Sequence, residues 1–92
     1  MNEFVVFLQS LSMRVQKLDQ ATAENAAIMK RSILADIAIK RAQVDKIDSA
    51  IRDVLDLGEL STDDRLDMEM HLYNCDTFRD LSDSVVQQIK QQ

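Results

Sequence analysis

Hydrophobic positions recur at helical spacing along almost the whole chain. Phe4, Leu8, Leu11, Val15 and Leu18 follow a 4-3-4-3 interval, which puts all five on one face of a first helix. Continued in register, that face meets Thr22, Asn25, Met29 and Ser32, so the stripe decays after Leu18. A new stripe begins at Ala26 and runs through Met29, Ile33, Ile37, Val44, Ile47, Ile51 and Leu55. The shift of phase predicts a break over residues 19–25, with Thr22 as the N-cap of the second helix. An unbroken helix over residues 3–56 would be about 80 Å long and would need a partner chain to cover it.

The second helix is apolar on two sides between Ala26 and Ala42, where Ile28, Leu34, Ala35, Ala38 and Ile39 add to the main stripe. A helix of that kind lies between neighbours, so this segment is expected at the centre of the assembly. Its alanines allow close approach. Gly58 follows Leu57 where a C-cap glycine belongs. Ser61 and Thr62, with Asp63 and Asp64 behind them, have the signature of the next helix start.

The last third holds two stripes. Leu66, Met70 and Tyr73 share one face, and Phe78, Leu81, Val85 and Ile89 share another, offset by about 100° on an ideal helix. Asn74-Cys75-Asp76-Thr77 lies between them, and such side chains compete with helix hydrogen bonds. Thr77 and Asp80 resemble a capping pair, so a kink or short break is expected there. The pattern predicts an all-α fold: one domain over residues 1–92, a small bundle of three to four helices at about 3–19, 23–57, 62–74 and 77–90. Assembly as a homodimer is one way for so small a chain to cover a spare face.

Composition narrows the function. The 92 residues contain no proline and one glycine, where average usage would supply roughly four or five and six. Phosphate-cradling loops, dinucleotide fingerprints and nucleophile elbows all need glycine, so those chemistries are not expected. Hydrophobic residues make up 46% and aromatics only 4%, which makes the core aliphatic. The longest apolar run, Phe4 to Leu8, is far below the ~20 residues of a membrane span. With no basic stretch or long apolar segment after Met1-Asn2-Glu3, no signal peptide is expected, and the single cysteine, Cys75, can form neither an internal disulfide nor a cysteine-rich zinc site. A cytoplasmic protein without a cofactor is expected.

His71, the only histidine, has Cys75 four residues after it and Met68 three before. Two or three soft ligands on one helix do not close a tetrahedral metal site, and an apolar face of Met68, Leu72 and Cys75 explains the same spacing. Asp67 beside His71 fits a solvated helix pair better than acid–base catalysis. No nucleophile with a base and an orienting group is readable, so the chain is not expected to be an enzyme.

Charge is more informative. Residues 1–21 and 22–56 are each balanced, whereas residues 57–92 hold eight acids against Arg65, Arg79 and Lys90, so the net charge of −5 falls in the last third. The pairs Lys30-Arg31 and Lys40-Arg41 are interleaved with Asp36, Asp45, Asp48 and Asp53, which argues against direct nucleic-acid binding. These features predict a non-enzymatic interaction module, an adaptor, chaperone or inhibitor that occupies a protein partner with a basic surface. The candidate partner-binding residues are Asp63, Asp67, Met68, Leu72, Cys75, Asp76, Asp80 and Asp83. The alternative is an acidic mimic of nucleic acid, such as a phage inhibitor blocking a basic groove of a host defence complex. It requires those carboxylates to form one phosphate-like surface.

Overall fold

The computed structural model describes residues 3–91 and contains three helices: α1 (Glu3–Leu18), α2 (Ala23–Leu57) and α3 (Thr62–Lys90). Each boundary has a local chemical cause. After Leu18 two turn hydrogen bonds, Gln20 N–H to Lys17 and Ala21 N–H to Leu18, end the first helix. The Thr22 hydroxyl then accepts from the Asn25 N–H at 3.3 Å and starts α2. Gly58 closes α2 in the left-handed conformation, φ 71°, with its N–H on the Leu55 carbonyl. The Ser61 hydroxyl accepts from the Asp64 N–H at 3.2 Å and opens α3, with Asp63 and Asp64 at the positive end of the helix dipole.

α1 folds back onto the first half of α2, and α3 returns antiparallel to α2 from the Gly58 turn as far as Ile33, where Ile89 packs. Leu11, Val15 and Leu18 from α1, Ile33 and Ile37 from α2, and Ile89 from α3 make one buried cluster. Val44, Cys75 and Phe78 make a second, closed from above by Phe4, Phe7 and Leu8. The Phe4 and Phe7 rings lie 5.2 and 5.9 Å from the Phe78 ring, tilted contacts that tie the start of α1 to the middle of α3. Residues 26–42 are flanked by both α1 and α3, but both neighbours meet the side of Ile33 and Ile37, and Ile28 and Ile39 remain exposed.

The expected interruption at residues 74–77 is absent: α3 is continuous from Thr62 to Lys90. The inward face explains why. Met68, Leu72, Cys75, Arg79, Ser82, Val86 and Ile89 follow an unbroken 4-3-4-3-4-3 interval, and every one of them is buried or half-buried. Leu66, Met70 and Tyr73 point the other way, so no change of phase exists along the packed face. Asp76 is drawn to Arg79 one turn on and does not turn back onto the backbone.

Helix lengths set the shape. α2 is about 52 Å long and α3 about 43 Å, whereas the 16-residue α1 covers only about 24 Å of them. The result is a rod with extents of 55 × 20 × 18 Å. One end is a three-helix bundle; the other, beyond the Val44–Cys75 contact, is a bare two-helix hairpin. The two faces of α3 give the first prediction. Phe78→Ala, at a fully buried site, should lower unfolding free energy in urea by about 3–5 kcal/mol, and Met70→Ala by less than about 0.5. Similar losses from both would mean that the inward stripe is misassigned.

Candidate functional site

α3 divides the eight residues expected to contact a partner. Met68 and Leu72 are half-buried on the inward stripe, and the antiparallel register set by Arg41–Asp83 and Arg79–Asp45 brings Leu72 opposite Ile51. Cys75 is 1% exposed and packs on Val44 and Phe78. Its side chain is therefore covered by the folded chain. Asp76 is held by Arg79 and Asp83 by Arg41. Asp63, Asp67 and Asp80 stay exposed, in no ion pair among the described residues.

The seam between α2 and α3 contains a charge cluster that the hydrophobic pattern does not reveal. Asp48 is buried where Ile47 was expected, and Ile47 is instead exposed to solvent. Its carboxylate accepts from Arg52 Nε at 2.6 Å and from Arg79 Nη1 at 3.0 Å. Arg79 also gives Nε and Nη2 to Asp45 at 3.0 and 2.8 Å, and Nη1 to Asp76 at 3.1 Å. Buried Ser82 donates to the Arg79 carbonyl at 3.0 Å. The positions could have been found from spacing alone: Asp48 lies between Val44 and Ile51, and Arg79 and Ser82 continue the Met68–Cys75 interval.

The hydrogen bond from Arg52, and then that from Arg79, holds Asp48 below the ordinary aspartate value of 3.8. The same carboxylates raise the Arg79 guanidinium further above its already high value, Asp45 most of all. Burial pushes the Cys75 thiol up, and the nearby Asp48 carboxylate adds to the effect. The thiol is therefore neutral and enclosed, the opposite of an activated nucleophile. Each side-chain nitrogen of Arg79 donates to at least one of three carboxylates, Asp45, Asp48 and Asp76. This cluster joins two helices.

At the first turn of α1 a shallow groove of about 360 Å³ opens between the helices, lined by Glu3, Phe4, Ile47, His71, Asn74 and Cys75. Among the described residues no three His, Cys, Asp or Glu side chains are grouped so as to hold a metal ion. No helix among them is long and apolar enough to cross a membrane.

Two surface features mark the two-helix end. Residues 44–76 hold ten acids against Lys46, Arg52 and Arg65, a net −7, whereas residues 3–43 hold six bases against four acids. The charge is thus separated along the rod. The most exposed of the large apolar side chains are at the same end: Leu57 and Tyr73 are each 71% exposed and Met70 65%, with Leu66 beside them, although Met13, Ile28 and Ile39 are also exposed at the other end. Comparison with protein-family models, with curated proteins and with solved structures returns no match.

The cluster gives two predictions. Asp48 is lowered in the folded state, so its contribution is present above about pH 4 and is lost as pH falls from 3.8 through the folded value. Asp48→Asn should cost about 2 kcal/mol at pH 7, and its deficit against the wild type should shrink in urea melts below pH 4. A deficit that stays constant down to pH 2 would contradict the pairing. Cys75 should resist a thiol reagent in native buffer and react fully in denaturant; rapid native labelling would place it at the surface.

Proposed function

We propose that the protein is a non-enzymatic binding module whose acidic two-helix end engages a partner protein with a basic surface. The observation that carries this reading is coincidence in space. At the two-helix end Asp63 and Asp67, without internal partners, lie near Leu57, Met70 and Tyr73, the three most exposed of the large apolar side chains. Complementary charge accelerates encounter, and apolar contact then holds the complex. The interior supports a non-catalytic role, since its polar groups are committed to one another and its single thiol is neutral. A reduced Cys75 without a disulfide partner suits the cytoplasm.

Mimicry of nucleic acid has less support. On a continuous α3 the acids lie on both edges of an apolar band, not in one phosphate-like row, and Asp76 and Asp83 are neutralised by Arg79 and Arg41. A homodimer would use the apolar faces but not the charge. The test is capture of partners from the producing cell, followed by binding kinetics with the purified partner. Substituting Asp63→Lys, Asp67→Lys and Asp80→Lys together should slow association by about tenfold or more and leave dissociation little changed. Complete loss of binding would favour mimicry, and a strict monomer that captures no protein would refute the proposal.

A further inference from the structure

The outer face of α3 has an order that the packing of the monomer does not use. Leu66, Met70, Tyr73, Thr77 and Leu81 succeed one another at 4-3-4-4 intervals, a band about 80° wide lying opposite the inward stripe. It extends about 22 Å, or four helical turns. At its C-terminal end α1 widens it: Val5 and Leu8 join Thr77 and Leu81 around a groove of about 100 Å³. The far end, Leu66 to Tyr73, is exposed, and no α1 residue from Glu3 to Leu18 lies over it among the described residues.

The edges of the band have one sign of charge. Asp63 and Asp67 lie along one side, and Glu69 and Asp80 along the other. None of the four is in an ion pair among the described residues. Arg65, Arg79 and Lys90 all fall on the opposite half of the α3 circumference. Two-fold pairing of this band with a second copy would place its acids against the same acids, with no base on the face to offset them.

Resting on the protein-binding role above, we infer that the outer face of α3 is the docking seam for one basic amphipathic helix of the partner. Its apolar side lies along Leu66, Met70, Tyr73 and Leu81, and lysines or arginines on its flanks meet Asp63, Asp67, Glu69 and Asp80. A straight band of four turns fits the i, i+3, i+4, i+7 anchors of a helix better than an extended peptide, which would need an open sheet edge. Met70 is an adaptable contact and Tyr73 a rigid one.

Tyr73 is the only tyrosine and the chain has no tryptophan, so its emission reports on the seam alone. The probe is an amphipathic helical peptide of about 18 leucines and lysines, long enough for the band. Its control is a scrambled peptide of identical composition. The amphipathic peptide should change Tyr73 emission saturably and shift the methyl resonances of Leu66, Met70 and Leu81 on the full-length protein. It should bind at least about tenfold more tightly than the scrambled peptide, and Met70→Asp should remove that advantage while leaving helicity intact. Ile39→Asp, on the outer side of α2, should leave it unchanged. Equal binding of both peptides would overturn the seam, as would shifts centred on Ile47 and His71 or on Ile28 and Ile39, and in each case the basic-partner role would stand. A concentration-dependent dimer abolished by Met70→Asp would also overturn it, with a second copy as the occupant. Binding of neither peptide would overturn both inferences.

Discussion

The antiparallel seam between α2 and α3 is longer than the helix that covers it, and most properties of the molecule follow from that mismatch. Over the first half of α2 the short α1 completes a three-helix core around Leu11, Ile33, Ile37 and Ile89. Its first turn, with Phe4 and Phe7 on the Phe78 ring and the Lys40 ammonium over both α1 rings, marks where that core ends. Beyond it, among the described residues, each helix of the hairpin has a single neighbouring helix. Two helices can bury one stripe each but cannot cover their remaining circumference. Exposed apolar residues at that end are a consequence of geometry before they are a matter of function.

What holds the hairpin in register is polar. Hydrophobic seams of Ile, Leu and Val tolerate a shift by one turn, because one aliphatic layer resembles the next. The Asp48–Arg79 contact, with Arg52 and Asp45 around it, has one satisfying arrangement, and Arg41–Asp83 repeats the constraint farther along. Buried polar contacts of this kind add modest net stability but penalise misalignment, since a slipped register would take Arg79 away from the buried Asp48 carboxylate and leave it only Arg52 of its own helix. Among the described residues no buried side-chain nitrogen or oxygen lacks a hydrogen-bond partner. Specificity at the middle of the rod thus comes from charge, and cohesion at the three-helix end from aliphatic packing.

The sequence was most legible where chain chemistry acts locally. Thr22, Gly58 and Ser61 mark the helix ends correctly because a cap is a contact between near neighbours. The face of α1 is plain because its inward positions are all large and apolar. α3 misleads because it inverts that rule. Its inward stripe contains Arg79 and Ser82, and its outward stripe contains Leu66, Met70 and Tyr73, so hydrophobicity alone selects the outer face and invents a phase change at Asn74. The same inversion places Met68, Leu72 and Cys75 on the packed side while leaving Asp63, Asp67 and Asp80 outside. Only spacing, followed through Arg79 and Ser82 without regard to polarity, traces the true seam. The helix therefore hides part of its interior in polar residues and displays apolar ones where the chain has nothing to cover them.

Most of the apolar outer face, Leu66 to Tyr73, lies outside the buried clusters, and net charge confined to one end costs self-repulsion there. Both make sense if the two-helix end is completed by another molecule. That account requires the rod to be energetically uneven, with a self-sufficient bundle at one end and a hairpin that awaits a partner at the other. Native-state hydrogen exchange, resolved by residue on the isolated protein, measures that unevenness most directly. Amides at residues 30–44 and 75–89 should exchange only through global unfolding, while those at residues 50–57 and 66–72 should exchange at least about tenfold faster through local opening. Uniform protection along all of α2 and α3 would show that the hairpin is complete without a partner and would contradict the account.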